Sequence, residues 1–576
     1  MARKFAKLLL LTAVSAPGCF APANADLLIS GIDSRLEANV RALSPLATTG
    51  CVSAPWRVER LFRDADKSIR EALQALGYYE PSIEKSLSWS EDCWQASFNI
   101  QAGEPVRLGA VDIRVEGAAA DDEKFAEHLS AARPVTGDIL DHGRYESYKA
   151  SMLRAAIAHG FFDADFVRNQ VIVDLEARSA ELALRLESGV QYRFGEVAFT
   201  QGIIRESLLE GYSDIVPGSP YSSTLVNELH EALSGSSYFA TVSIRTEPQD
   251  TVQKIVPVSV ELTPAKRRIY SIGAGVATDT GPQGRLGFAD RRLNDRGHQL
   301  ESKLFASSVK SELTGSYRWP RDDPRREWMS VFAGVQHETT DTRTSDTFTV
   351  GVLRARNLGK HWLETRYLDY SYEDYEVGAQ ATTSQLVILG NTWESAAGRE
   401  LGRVTSGRRL SFDVRGASDS LGSDTSFVQF RAKTKWIRSF NDRYRAIART
   451  SFGLTIKEDF DELPASVRFF AGGDRSVRGY DYESLGPVND NGDVIGGSYL
   501  LDGSIEMDRL LAEKWSIAAF VDSGSAFNDS TIEFSTGAGV GIRWYSPVGP
   551  FRLDIAHPFD DPDNSYRIHI SLGPDL

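Results

Sequence analysis

The second half of this chain alternates apolar and polar residues, segment after segment, and never returns to a helical pattern. From about Lys266 onward, segments of roughly ten residues are separated by clusters of Asn, Asp and Gly that favour turns. One segment has Trp515, Ile517, Ala519 and Val521 on one face and Ser516, Ala518, Phe520 and Asp522 on the other. A strand with one apolar and one polar face suits a barrel wall that has lipid on one side and a water-filled lumen on the other. The pattern predicts a transmembrane β-barrel over residues 265–576, long enough for about 16 antiparallel strands.

Composition is compatible with a barrel and argues against two other classes of protein. The mean hydropathy of −0.28 excludes a polytopic helical membrane protein, because each helical span needs about 20 apolar residues. The formal net charge of −15 argues against a nucleic-acid-binding protein, which would normally carry a basic patch. A soluble β-sandwich is the alternative to the barrel.

The N-terminus has the pattern of a secretory signal peptide. Arg3, Lys4 and Lys7 precede an apolar run over residues 8–14, and Ala23-Asn24-Ala25 supplies a small-residue cleavage site. We therefore expect residues 1–25 to be removed on export. A buried N-terminal helix is the alternative.

Cysteine usage agrees with export. After cleavage only Cys51 and Cys93 remain, and an oxidising compartment favours one disulfide between them. Two unpaired buried thiols are the alternative. Neither cysteine has a His or Cys at ligand spacing, so the sequence predicts no metal site there.

A repeat organises the first half of the chain. Residues 72–79, 155–162 and, in a degenerate form, 233–239 each read as a helix end, a glycine and an aromatic pair that enters a strand. A second marker at residues 103–111 recurs at 189–197, an offset of 86 residues. Two markers with nearly one period indicate repeated modules.

Each module combines helical and alternating stretches in the order strand, two helices, two strands. Three modules would occupy residues 26–103, 104–189 and 190–264. Small modules of this kind have open sheet edges that can add a strand from an extended client or partner. The alternative is that they are spacers.

A compact motif stands in the last third of the chain. Glycines surround Val477-Arg478-Gly479-Tyr480 and allow a sharp turn that displays Arg478. About forty residues later, Asp522 lies on the polar, lumen-facing side of its strand. We expect Arg478 to pair with Asp522 inside the barrel. The chain closes with two further signatures, at residues 546–554 and 572–576.

These motifs resemble those of the outer-membrane assembly and secretion superfamily that includes BamA, TamA and the two-partner secretion transporters. The module order resembles the polypeptide-transport-associated (POTRA) domain. Three modules, a cysteine pair in the first and the Leu-Gly-Pro-Asp-Leu ending are most similar to the TamA branch. The BamA branch carries more modules, and the two-partner transporters carry fewer.

The resemblance implies a location and a mechanism. The barrel would lie in the outer membrane of a Gram-negative bacterium, with the POTRA modules in the periplasm. The first and last strands would meet at a weak seam, which we place at Ser271, Gly273 and Gly275 on one strand and Ile568 and Ile570 on the other. Because serine and glycine have small side chains or none, the first strand has little to pack against its neighbour at Ser271, Gly273 and Gly275. An unpaired edge there could template a client strand.

The same resemblance implies partners for the protein. These are unfolded outer-membrane clients such as autotransporters, the lipid bilayer, and an inner-membrane-anchored TamB-like protein that meets the first module. Neither nucleic acid nor a nucleotide cofactor is implied. A two-partner-type secretion pore that exports a dedicated soluble passenger is the alternative function.

Catalytic patterns are weak throughout the chain. The glycine-rich run at residues 537–541 is not followed by a helix, so a phosphate cradle is a poor interpretation. Residues 489–493 lack the spacing and closing Glu of a calcium loop. The nine His show no paired metal spacing, and no Gly-x-Ser-x-Gly elbow occurs. We therefore expect no enzyme activity, no metal and no cofactor.

Overall fold

The computed structural model describes residues 26–90, 93–130, 132–248, 252–359, 361–378, 380–398, 403–529, 532–546, 549–561 and 565–573. The predicted signal peptide and the last three residues of the C-terminal signature lie outside these residues. The chain forms two compact units, and the division between them runs through the third module. Within the described ranges, no helix is both long enough and apolar enough to cross a membrane.

The N-terminal modules contain six helices and nine strands in the described residues. The helices are α1 (Ser34–Leu43), α2 (Pro55–Gln74), α3 (Glu123–Ser130), α4 (His142–Ala158), α5 (Glu206–Glu210) and α6 (Ser223–Gly235). The strands are β1 (Asp26–Ser30), β2 (Ser82–Trp89), β3 (Trp94–Gln101), β4 (Arg107–Glu116), β5 (Asp165–Asp174), β6 (Ser179–Glu187), β7 (Arg193–Thr200), β8 (Phe239–Arg245) and β9 (Ile255–Pro264). This is the predicted order of strand, two helices and two strands, three times over.

Each module builds one three-stranded sheet. The strand orders are β1-β3-β2, β4-β6-β5 and β7-β9-β8, so the last strand of every module lies in the centre. In the first two sheets the outer strands pair with it in opposite senses, one parallel and one antiparallel. We propose the module bounds 26–103, 104–189 and 190–264, because each range contains one complete sheet.

Local signals in the sequence explain where the helices begin. Asp33 caps α1 by accepting hydrogen bonds from the backbone N–H groups of Arg35 and Leu36. Asp141 caps α4 in the same way. Pro55 opens α2, where its missing N–H costs nothing. The apolar face of α2 then packs into the core of the first module, which includes Trp94 and Phe98.

The repeated glycines form the joints between modules. Gly77 and Gly160 both have positive φ, +92° and +89°, which an L side chain rarely adopts. The Gly77 carbonyl accepts the Val106 N–H of the second module at 2.9 Å, and the Gly160 carbonyl accepts the Tyr192 N–H at 2.8 Å. The turn after the second helix of one module is therefore the point at which the next module is attached.

Two details of the predicted repeat are wrong. In the third copy the left-handed residue is Ser237, with φ +67°, because α6 continues through Gly235. In the first two copies the aromatic pair lies before the strand, which begins only at Ser82 in one and at Asp165 in the other. The reason is packing, since Phe161 is buried in the core of its module before the chain extends.

A substitution at the first joint should loosen it. In Gly77→Ala, the new Cβ would collide with the Leu140 carbonyl oxygen of the second module, which adds about 1–3 kcal/mol to the cost of the left-handed backbone. We expect hydrogen exchange of the Val106 amide to become at least about tenfold faster. Gly218→Ala is the matched control, because Gly218 has φ +84° but no atom within 4 Å of the methyl group that alanine would add. Equal Val106 exchange in both variants would contradict the joint.

The C-terminal part of the chain is a closed barrel of sixteen strands. They are β10 (Arg268–Ala277), β11 (Gly281–Asp290), β12 (Gln299–Ala306), β13 (Lys310–Pro320), β14 (Glu327–Thr339), β15 (Arg343–Leu358), β16 (Trp362–Val377), β17 (Gln380–Ala397), β18 (Ser406–Ala417), β19 (Phe427–Ser439), β20 (Tyr444–Lys457), β21 (Tyr499–Ala512), β22 (Trp515–Phe527), β23 (Ser535–Ser546), β24 (Gly549–Pro558) and β25 (Arg567–Leu572). Each pairs antiparallel with the next in sequence. The predicted barrel is confirmed, and the sandwich alternative is wrong.

The alternation seen in the sequence separates the two faces of the barrel wall. In β22, Ile517 and Val521 are 44% and 53% exposed on the outside, whereas Ser516 and Asp522 are buried inside. In β25, Ile568 is exposed and His569 is buried. Apolar side chains therefore face outward along these strands, where a bilayer would cover them.

Candidate functional site

A long loop between β20 and β21, residues 458–498, packs inside the barrel. Its backbone turns back on itself through isolated pairs such as Phe469 with Gly497 and Ala471 with Leu485. The predicted motif lies in this loop, and Val477, Arg478 and Tyr480 are all buried. Gly472, Gly473 and Gly479 have φ near +100°, so the sharp turn around the motif depends on them.

Arg478 is bound by the barrel wall on several sides. Its Nε donates to Asp522 Oδ2 at 2.6 Å and its Nη2 donates to Asp522 Oδ1 at 3.0 Å, so the ion pair is bidentate. Its Nη1 donates to Glu506 Oε2 at 2.9 Å and to Asp554 Oδ2 at 3.1 Å. Because these acids lie on β22, β21 and β24, one side chain ties the loop to three strands.

Two further arginines complete the charge cluster. Arg449 Nη2 lies 3.2 Å from Asp522 Oδ2, and Arg543 bridges Glu506 and Asp554. Arg449 also donates to the carbonyl oxygens of Asp474 and Ser476 in the loop. Among these six charged residues, three cations face three anions. A buried network of this kind stabilises one arrangement of the loop only while every member is paired.

Aromatic contacts position the motif on either side of Arg478. The guanidinium carbon of Arg478 lies 3.3 Å from the centre of the Phe520 ring, a cation–π contact. The aromatic partner is thus on the barrel wall and is not the adjacent Tyr480, whose hydroxyl donates instead to the Thr536 carbonyl at 3.2 Å. Arg478 thus lies against the barrel wall, hydrogen-bonded to Asp522, the partner that the sequence analysis named.

The glycine-rich run over residues 537–541 makes room for this loop. It lies in β23. A Cβ at Gly537 would collide with the Arg478 carbonyl oxygen, and one at Gly541 would collide with Asp554 Oδ1. These glycines are therefore required by close approach of the loop and its acids.

The seam between the first and last strands is short. Strand β10 pairs with β11 along its whole length, Arg268–Ala277. On its other side, Ala277 opposite Ser571 is the one register pair with β25 among the residues described. Two hydrogen bonds follow it, from Thr278 N to Ile570 O at 3.0 Å and from Ile570 N to Thr278 Oγ1 at 2.6 Å.

The predicted seam residues fall into two groups. Ile570 makes the seam bonds just described, whereas Ile568 pairs with Ile555 of β24. Ser271, Gly273 and Gly275 have no register partner in the described part of β25 and pair only with β11. They lie along the edge of β10 that faces β25, beside the exposed Tyr270 and Ile272.

The predicted cysteine pair lies in the first module. Cys51 and Cys93 form a disulfide that joins the turn before α2 to the start of β3. In the segment that follows Cys51, Val52 is fully exposed and Trp56 is 65% exposed.

Sequence reasoning missed most partners of Arg478. Glu506, Asp554, Arg449 and Arg543 were not predicted as site residues, although each is charged and points into the lumen. Alternation along β21 and β24 could have placed Glu506 and Asp554 inside. It could not have shown which loop residue each one meets.

Two domain families match this chain. The Omp85 superfamily domain matches residues 269–575, and the family described as POTRA domain TamA domain 1 matches residues 26–102. The first match covers more than half of the chain.

Individual relatives agree with these matches. The outer membrane protein assembly factor BamA of Nitratidesulfovibrio vulgaris is 23% identical over 385 residues, 62% of this chain and 48% of that protein. This chain thus spans about half the length of that relative. BamA of Neisseria meningitidis serogroup B is 19% identical over 607 residues, 89% of this chain and 73% of that protein.

A solved structure shares the fold. The crystal structure of BamA from Haemophilus ducreyi lacking POTRA domains 1-3 has a TM-score of 0.67 at 14% identity, covering 81% of this chain and 99% of that one. At this identity the likeness concerns the fold alone.

Proposed function

Since this chain belongs to the Omp85 superfamily, we propose that it inserts or secretes β-barrel clients at the seam between β10 and β25. The chain is an outer-membrane protein with its POTRA modules in the periplasm. Two relatives are outer membrane protein assembly factors by name. Their activity supports the proposal, which includes no catalytic step and no cofactor.

The observation that carries the proposal is the edge of β10 that faces β25, where Ala277 is the one residue with a register partner among the described residues. Backbone N–H and C=O groups without a partner are costly in a bilayer, because lipid offers no hydrogen bonds. A client strand can satisfy them by adding to the edge, as strands add to other open sheet edges. Among the described residues the two strands share one register pair and two hydrogen bonds at Thr278 and Ile570, so few of these bonds need to break before a client strand adds.

The loop over residues 458–498, which packs inside the barrel, supports the same function. It occupies the lumen beside β21, β22 and β24, the strands that precede the seam. A passenger that crossed the lumen would have to move it. A client that enters sideways at the seam would leave the Arg478 network in place, which favours assembly over a soluble-passenger pore.

We assign the finer identity to the TamA branch, with an inner-membrane-anchored TamB-like partner at the first module. The first module matches a POTRA family defined on TamA. Val52 and Trp56 are exposed apolar side chains in the segment that follows Cys51, and such residues favour a protein contact. Autotransporters are the proposed class of client.

Depletion of the protein followed by outer-membrane proteomics tests this function. We expect several barrel proteins to fall together, because assembly factors serve many clients, and a wild-type copy to restore them. Loss of a single extracellular protein, with the barrel proteins unchanged, would contradict assembly and favour the secretion pore.

A further inference from the structure

Three side chains with ionisable groups meet where the loop over residues 458–498, here called the inner loop, touches both seam strands. Asp279 follows β10, Asp474 belongs to the loop, and His569 lies in β25. One ligand-type atom from each lies within 4.8 Å of the other two. The proposed function uses none of them.

Hydrogen bonds connect the three residues in a chain. The Asp474 backbone N–H donates to Asp279 Oδ2 at 2.6 Å, which ties the end of β10 to the loop. Asp474 Oδ1 lies 2.5 Å from His569 Nδ1, which ties the loop to β25. The Gly479 backbone N–H donates to His569 Nε2 at 2.9 Å, next to Arg478.

These hydrogen bonds determine which ring nitrogen of His569 carries the proton and whether the ring can bind a metal ion. Nε2 accepts from the Gly479 N–H, so the ring proton of neutral His569 lies on Nδ1 and is donated to Asp474. No ring lone pair is then free for a metal ion. The geometry therefore favours a hydrogen-bonded clamp over a metal site, although three ligand-type residues are close together.

The loop gives the clamp a fixed support. Arg478 holds the loop to β21, β22 and β24, and Asp474 and Gly479 stand on either side of it in sequence. Arg567 of β25 also forms an ion pair with Asp481 of the loop. The two seam strands are thus joined through the loop as well as directly to each other.

We propose that Asp279, Asp474 and His569 form a latch that holds the seam closed through the inner loop. The latch rests on the proposed function for its purpose, since it keeps the seam shut when no client is present. Asp279 Oδ1 and Asp474 Oδ2 are buried without a hydrogen-bond partner. Opening the seam would expose both to water, which offsets part of the lost bonding and lets the latch release.

Hydrogen exchange of the purified full chain in lipid nanodiscs, without any client, tests the latch. The reporters are the amides of Thr278 and Ile570, which donate the two seam bonds. In His569→Phe and in Asp474→Ala we expect both amides to exchange at least about tenfold faster than in the wild type. Asp474 lies outside the strands, so its variant tests the latch even if a change within β25 impairs folding.

His337→Phe is the matched control. His337 Nδ1 lies 2.7 Å from Asp346 Oδ1 across β14 and β15, the same kind of pair far from the seam in the strand order. It should leave the Thr278 and Ile570 amides unchanged. Protection of the β14 amides shows that each variant barrel is folded.

Two results would overturn the latch. One is wild-type exchange at both amides in the folded His569→Phe and Asp474→Ala proteins. The other is a wild-type seam that exchanges faster with a chelator and slows again with Zn²⁺, which would make the cluster a metal site. Because no client is present, either result leaves the depletion test of the proposed function unaffected.

Discussion

Arg478→Ala is expected to release the inner loop and to impair client assembly while the barrel stays folded. The substitution leaves Asp522, Glu506 and Asp554 facing only two of their three arginines, so one buried negative charge is uncompensated. Removing one partner of a buried ion pair costs about 3–5 kcal/mol. This cost shifts the equilibrium between the bound and the released inner loop toward release by roughly a hundredfold or more. The strand hydrogen bonds of the wall do not involve Arg478.

Protease cleavage within residues 458–498 measures the release, and heat-modifiable mobility on gels shows that the barrel is intact. Arg478→Lys should give a partial effect, because a lysine restores the charge but cannot make the two-pronged bond to Asp522. Lys303→Ala is the control. Its pair with Glu301 in β12 has both side chains exposed, 65% and 49%, and exposed pairs contribute about 1 kcal/mol or less. A folded Arg478→Ala protein with full assembly activity would show that the bound inner loop is dispensable.

Regular residue patterns in the sequence, namely strand alternation and glycines at helix ends, predicted the fold. The alternation that placed Asp522 on the polar face of its strand holds in the barrel, where Asp522 is buried in the lumen. The glycines at the first two helix ends were predicted to be left-handed, and Gly77 and Gly160 both have positive φ in the structure. Both signals are local, so they can be recognised in the sequence without knowledge of distant contacts.

Long-range partners could not be read in the same way. Glu506 and Asp554 reach Arg478 only once the barrel closes with its particular stagger, and alternation does not specify that stagger. Asp474 and His569 are 95 residues apart and meet through the loop. The third module shows a smaller failure, since Ser237 takes the left-handed role of the glycine.

A disulfide across the seam is expected to stop client assembly. Ala277 and Ser571 are register partners, and antiparallel partners lie within the Cα separation that a disulfide spans. In Ala277→Cys/Ser571→Cys, oxidation should lock β10 to β25 and deny a client the edge of β10 that faces β25. Reduction should restore activity. Thr339→Cys/Thr344→Cys is the control, because these partners join β14 to β15 and lie in no seam.

The most direct measurement is therefore the rate at which the purified, seam-locked protein in liposomes folds an added barrel client. The expected result is background folding when the Ala277→Cys/Ser571→Cys protein is oxidised, recovery on reduction, and full folding by the oxidised control pair. Full client folding by the oxidised, completely cross-linked seam protein would contradict assembly at the seam.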